Sequence, residues 1–128
     1  MAVVCIGVIA TIGIFLPSQT IQQPASENKA WQFKQDFSGI GSENMWVKIE
    51  SEIWRISWYA FALENFENYS YFILSVTAFP DTAEVMGTKM IGEFYTSGAE
   101  YIIQNGWFFI DVKAVALESW SLYIYEYH

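Results

Sequence analysis

Short runs in which every second residue is apolar dominate the sequence from about residue 30 to the end. Alternation with a period of two places successive side chains on opposite faces of a β-strand, so each run predicts a strand with one buried face. Seven or eight such runs follow one another at intervals of roughly ten residues, which is typical of an antiparallel sandwich or jelly roll. The sequence therefore predicts an all-β fold, an antiparallel jelly-roll-like β-sandwich, over residues 30–128.

The alternation also predicts which side chains share a face. In the first run, Trp31, Phe33 and Phe37 are expected on one face of the strand. The apolar positions of the later runs are Val47, Ile49, Trp54, Ile56, Trp58, Phe72, Leu74, Val76, Ala78, Phe108, Ile110, Val112, Trp120, Leu122 and Ile124.

Turn-forming residues separate the runs. Such signals occur at 39–44, 64–68, 79–81, 96–98 and 105–106. The last is Asn-Gly between two apolar runs, the strongest short hairpin signal, and it predicts a β-hairpin there. The pattern is weakest over residues 82–92.

Composition supports sheet and narrows the classes of partner. Aromatic residues make up 19% of the 128 residues, and they suit half-buried pleated surfaces. The formal net charge of −8 argues against nucleic-acid binding and against a basic face for anionic lipid. The single cysteine, Cys5, excludes an intramolecular disulfide.

The N-terminal segment, residues 1–17, is apolar and uncharged, and a polar linker follows at 18–29. Three interpretations are open. The segment is an export signal or membrane anchor with membrane contact through residues 2–16. Alternatively, it is an assembly element, a pilus-like helix or a strand that completes a neighbour's sheet. Or it is a buried strand of the domain. The candidate assembly residues are Val4, Ile6, Val8, Ile12, Ile14 and Phe15.

Few residues could carry catalysis or bind a metal. The one histidine, His128, is the last residue, which argues against a Ser-His or Cys-His nucleophile, and a His- or Cys-based zinc site is excluded by count. We predict no catalytic residues and no cofactor. Asn68 begins a glycosylation sequon, Asn-Tyr-Ser, in a predicted loop.

The aromatic excess predicts a contact surface. If Phe108, Ile110, Trp120, Leu122 and Ile124 point inward, the residues that alternate with them point outward. Those outward residues are Trp107, Phe109, Tyr123, Tyr125 and Tyr127. On neighbouring strands they would form one exposed aromatic face, which marks a binding or assembly surface. The alternative is that another part of the same chain covers this face.

Three segments carry a family resemblance. Residues 54–58 read Trp-Arg-Ile-Ser-Trp, residues 101–112 read as a turn, a glycine and an aromatic pair before an alternating strand, and residues 120–126 read Trp-Ser-Leu-Tyr-Ile-Tyr-Glu. Together they resemble the CUB-like β-sandwich domains of archaeal and bacterial secreted or membrane-anchored proteins. One departure is that a single glycine, Gly106, precedes the aromatic pair where that pattern carries two. The resemblance implies an extracytoplasmic sandwich and no settled activity. Because some CUB-type sandwiches hold Ca²⁺ with loop carboxylates, it also implies Asp81, Glu84 and Asp111 as calcium candidates.

Two functional hypotheses from different classes follow. The first is a non-enzymatic structural protein, a subunit of a cell surface or pilus-like filament that assembles with itself through the apolar N-terminus and the aromatic face. The alternative is a secreted or membrane-anchored module that binds a glycan or protein ligand on an aromatic platform. Both predict an extracellular or cell-surface location, and neither involves nucleic acid.

Overall fold

The computed structural model describes residues 29–128. The candidate assembly residues of the segment 1–17, and nearly all of the linker, lie outside the described residues.

Eight strands make up the domain. Their bounds are β1 Trp31–Gly39, β2 Glu43–Ile49, β3 Trp54–Ala62, β4 Tyr71–Phe79, β5 Ala83–Ile91, β6 Tyr95–Ile102, β7 Gly106–Val115 and β8 Leu117–Tyr127. A short 3-10 helix, Glu67–Tyr69, lies between β3 and β4. The strands form two four-stranded antiparallel sheets, sheet I in the order β1-β8-β3-β6 and sheet II in the order β2-β7-β4-β5.

The strand pairing is nested along the chain. β4 pairs with β5, β3 with β6, β2 with β7 and β1 with β8. The chain thus behaves as one long hairpin rolled into two sheets, which is the arrangement of a jelly roll. The predicted antiparallel β-sandwich is confirmed.

One core fills the space between the sheets. Phe108, Ile110, Leu122 and Ile124 are fully buried, and Trp120 is almost so, as the alternation predicts. The rings of Trp54 and Phe108 pack at 4.8 Å between centroids and join sheet I to sheet II. Period-two alternation therefore identified the inner face correctly on the central strands.

The prediction for the first strand was wrong, because β1 contains a β-bulge. The pairing with β8 shifts between Phe33 and Gln35, which leaves Lys34 as the extra residue. Trp31 and Phe33 consequently lie on the outer face, opposite Tyr127 and Tyr125, whereas Phe37 packs against the core.

Two predicted turns are also corrected. Residues 96–98 lie within β6 instead of ending a strand. The Asn105-Gly106 turn joins β6 of sheet I to β7 of sheet II, so it is a crossover between sheets and not a hairpin. Gly106 has φ +113°, a backbone conformation that glycine adopts without strain. The weak pattern over 82–92 proves to be the edge strand β5.

Gly98 is part of a strand because its missing side chain makes room for a neighbour. A Cβ atom at this position would collide with the indole ring of Trp58, which lies on the adjacent strand β3. We expect Gly98→Ala to lower the free energy of unfolding by about 1–3 kcal/mol, since the indole would have to leave its position. Urea denaturation of the full-length chain measures this. Gly41→Ala is the matched control, because nothing lies within 4 Å of a Cβ there. Equal effects of the two substitutions would contradict the steric explanation.

One carboxylate is buried at the end of the sandwich where Ala30 and His128 are joined by backbone hydrogen bonds. Glu126 on β8 is 3% exposed and lies on the inner side of sheet I. Its carboxylate accepts a hydrogen bond from the backbone N–H of Glu50 at 3.2 Å, and His128 Nε2 lies 3.1 Å from its other oxygen. The Lys34 ammonium, supplied by the bulge, lies 3.0 Å away.

Candidate contact surfaces on the two outer faces

The structure separates the five predicted outward aromatic residues into two groups. β7 belongs to sheet II and β8 to sheet I, so these strands are not neighbours. Trp107 and Phe109 lie on the outer face of sheet II. Tyr123, Tyr125 and Tyr127 lie on the outer face of sheet I. The residues point outward as predicted, but they do not form one face.

The outer face of sheet I is a much larger aromatic surface than the sequence predicted, and we call it the tyrosine face. The cross-strand register places nine aromatic side chains on it: Trp31, Phe33, Tyr59, Phe61, Tyr95, Tyr101, Tyr123, Tyr125 and Tyr127. Serines at 38, 57, 97, 119 and 121, together with Ala99, occupy most of the remaining outward positions. Alternation on the strands β7 and β8 alone could not predict this surface, because all four strands of sheet I contribute to it.

Aromatic rings of the tyrosine face pack against one another across the strands of sheet I. Trp31 packs on Tyr127 at 5.1 Å between centroids and on Tyr101 at 5.5 Å. Phe33 meets Tyr125 edge-on at 5.7 Å. Tilted and edge-on pairs at these distances are favourable, so the rings hold one another in place while part of each stays in solvent. The result is a pre-ordered aromatic surface.

A single cation lies within this surface. The Arg55 guanidinium carbon is 4.3 Å from the centroid of the Tyr125 ring and 5.3 Å from that of Trp31. Both distances are within the range of cation–π attraction. Arg55 Nε is buried without a hydrogen-bond partner, and none of the ion pairs among the described residues includes Arg55. The side chain is therefore positioned by aromatic rings and not by a carboxylate.

Charged side chains otherwise avoid the tyrosine face. The chain carries six basic and fourteen acidic residues. Among the described residues, Asp36 and Arg55 alone occupy outward positions of the sheet I register. Asp36 is exposed, lies opposite Tyr123 and takes part in none of the described ion pairs. The face is thus neutral within a strongly acidic protein.

Two shallow grooves run along β3 on this face. One, of about 430 Å³, is lined by Ser57, Tyr59, Phe61, Ser121, Tyr123 and Tyr125. The other, of about 450 Å³, is lined by Arg55, Ser57, Tyr59, Ser97, Gly98, Ala99 and Tyr125. Both combine ring walls with serine hydroxyls.

Sheet II carries a smaller aromatic group, the tryptophan cluster of Trp46, Phe79, Trp107 and Phe109. Trp46 packs on Phe79 at 4.7 Å and on Phe109 at 5.1 Å between centroids. Trp46 and Trp107 are each 49% exposed. The same outer face carries the charged residues Lys48, Asp111 and Lys113 on β2 and β7, and a second apolar group of Tyr71, Ile73, Ile91 and Val115.

The calcium candidates are only partly brought together. Glu84 and Asp111 line one groove of about 510 Å³ on sheet II, but Asp81 does not line it. The Asp111 carboxylate accepts a hydrogen bond from Lys113 Nζ at 2.7 Å, and this contact raises the pKa of Lys113 above its ordinary value. In residues 29–128 no three His, Cys, Asp or Glu side chains cluster in a way that could hold a metal ion. Calcium binding stays a prediction.

The sequon residue Asn68 is exposed in the 3-10 helix. The third residue of the sequon, Ser70, is buried, and its single hydroxyl proton is shared between the carbonyl oxygens of Glu67 at 2.8 Å and Glu93 at 3.0 Å. The side chain of Asn68 is therefore accessible, whereas Ser70 packs inside the loop and stabilises it.

Within the described part of the chain, no helix has the length and apolar character needed to cross a membrane. No protein-family model matches the sequence, and the search of curated proteins gives no match. The resemblance to CUB-like domains therefore stays a prediction from the three sequence segments.

Proposed function

We propose that this protein is a non-enzymatic structural protein of the cell surface or extracellular space that assembles with copies of itself through the tyrosine face. The observation that carries the proposal is the aromatic, nearly uncharged composition of that face. The extracytoplasmic location follows from the apolar N-terminal segment and the CUB-like resemblance.

The composition of the tyrosine face matches that of protein contact surfaces. The cores of protein interfaces are enriched in Tyr, Trp, Phe and Arg and depleted in Lys, Glu and Asp. Tyrosines among serines are also typical of antibody contact loops, where rigid rings supply area and short hydroxyls supply hydrogen bonds. Nine aromatic residues and one arginine on a single face fit both descriptions.

Charge favours a second copy as the partner. Two molecules that each carry a net charge of −8 repel one another over most approaches. The tyrosine face is neutral, so two copies can meet there without bringing like charges together. Each face carries one cation and one anion, and is therefore complementary to itself in charge.

The size of the face suffices for a specific contact. Four strands spaced by about 4.8 Å and about nine residues long at about 3.3 Å each cover roughly 570 Å². Two such faces bury about 1,100 Å² or more, which passes the approximate 1,000 Å² expected of a biological interface.

Exchange of two aromatic residues tests this proposal. In the full-length chain in non-ionic detergent, Tyr123→Ser with Tyr125→Ser should weaken self-association at least about 100-fold, as expected for two interface hot spots. Sedimentation velocity over a concentration series measures it. The matched control is Trp107→Ser with Phe109→Ser on sheet II, which should leave association unchanged. A wild-type chain that stays monomeric up to the highest concentration of the series would overturn the proposal. Equal loss of self-association in both double variants would also overturn it.

A glycan-binding module is the second candidate function. The two grooves along β3 favour it, since flat rings stack on sugars and serine hydroxyls hydrogen-bond to them. This function would be supported if the wild-type chain does not self-associate but binds a soluble polysaccharide. The Tyr123→Ser, Tyr125→Ser variant should then lose that binding.

A further inference from the structure

We infer that Arg55 and Asp36 form two reciprocal ion pairs across a two-fold interface between the tyrosine faces of two copies. The inference rests on the proposed function and goes beyond it by naming the residues that set how the two faces align.

Arg55 requires a carboxylate once the face is covered. Its guanidinium lies over the rings of Tyr125 and Trp31 and has no anionic partner among the described residues. In the single subunit, Arg55 is partly exposed to solvent. Covering the guanidinium with an apolar surface would bury a positive charge that has no partner, and that is strongly unfavourable. Stable burial of the tyrosine face therefore needs an acidic group opposite Arg55.

Asp36 is the acidic group that a second copy can supply. It is the single carboxylate that the described sheet I register directs outward, and it is exposed on β1. Within one subunit, Asp36 aligns with Tyr123 and Ser57, and Arg55 lies two residues along β3 from Ser57. Two strand spacings and two residues place them about 12 Å apart, too far for a direct contact within the subunit.

Two-fold symmetry brings both pairs together at once. In an isologous interface, if residue i meets residue j of the partner, then j also meets i. An axis that lies in the plane of the interface and is the perpendicular bisector of the line from Arg55 to Asp36 sets each guanidinium against the partner's carboxylate. This axis crosses β8 between Tyr123 and Tyr125, at the centre of the face. The aromatic residues then surround two neutralised charge pairs.

Mixing two charge-reversed variants of the full-length chain tests the inference. Arg55→Glu alone should not pair with itself, because each interface would contain two Glu–Asp contacts. Asp36→Arg alone should also fail, because it would contain two Arg–Arg contacts. Each should associate at least about 100-fold more weakly than wild type, since like charges in an interface cost several kcal/mol. An equimolar mixture should form a heterodimer of near wild-type affinity, since both of its contacts join opposite charges. Native mass spectrometry with one variant isotopically labelled identifies the heterodimer.

The outcomes separate this inference from the proposed function. A wild-type dimer that depends on Tyr123 and Tyr125, with no heterodimer in the mixture, would overturn the ion pairing and leave the assembly proposal standing. A monomeric wild-type chain would overturn both. If Arg55→Glu does not fold, Asp36→Arg decides alone, because Asp36 is an exposed edge-strand residue. Its self-association at wild-type strength would reject the inference, and its loss with an unchanged melting temperature would support it.

Discussion

Replacing Trp120 with alanine is expected to lower the free energy of unfolding by about 3–5 kcal/mol, the range found for large aromatic side chains removed from a core. Trp120 is 1% exposed on β8, between the two sheets. Its indole Nε1 also donates a hydrogen bond to the carbonyl of Gly41 at 2.8 Å. The substitution therefore opens a cavity and releases the connection between β1 and β2. Since domains of this size are stable by only about 5–15 kcal/mol, most of the stability would be lost.

Trp107→Ala is the matched control for this prediction. Trp107 is half exposed on the tryptophan cluster, so its removal should change the free energy of unfolding by no more than about 1 kcal/mol. Urea denaturation followed by circular dichroism compares the two variants without relying on tryptophan fluorescence. If Trp107→Ala were as destabilising as Trp120→Ala, the burial assigned to the two positions would be wrong.

Replacing Glu126 with glutamine is the second prediction with a large effect, a loss of about 2–3 kcal/mol. Removing one member of a buried ion pair costs about 3–5 kcal/mol because the other charge loses its partner. Lys34 is partly exposed, so water compensates for some of this loss. The change also weakens the hydrogen bond from the Glu50 backbone and the contact with His128, which hold the ends of β2 and β8 together.

Glu50→Gln provides the same chemical change at an exposed position. The carboxylate of Glu50 lies 3.9 Å from the Lys48 ammonium, and both side chains are more than half exposed. Such surface pairs contribute about 0–1 kcal/mol, so this variant should unfold almost as the wild type does. Thermal unfolding at neutral pH compares the two. A larger loss for Glu50→Gln than for Glu126→Gln would show that the buried carboxylate is not a stabilising centre.

Alternation in the sequence predicted some residues of the tyrosine face and missed others. On β8, alternation correctly assigned Tyr123 and Tyr125 to the outer face, because Leu122 and Ile124, which alternate with them, are buried. The role of Arg55 was missed, although Arg55 lies in the Trp-Arg-Ile-Ser-Trp segment used for the family resemblance. The signal that the sequence offered is that Arg55 is the single arginine of an acidic chain. Its meaning required knowing that Tyr125 and Trp31 come from two other strands of the same sheet.

The sequence by itself determined the strand character of the chain and the inner face of its central strands. These properties are local, because a side chain and its second neighbour lie on the same face of any extended chain. The tertiary structure decided which strands became neighbours, since pairing depends on contacts between residues far apart in sequence. It placed β7 and β8 in different sheets and divided the predicted aromatic face. It also turned Phe33 outward through the bulge at Lys34, and it kept Gly98 within a strand so that Trp58 could pack against it.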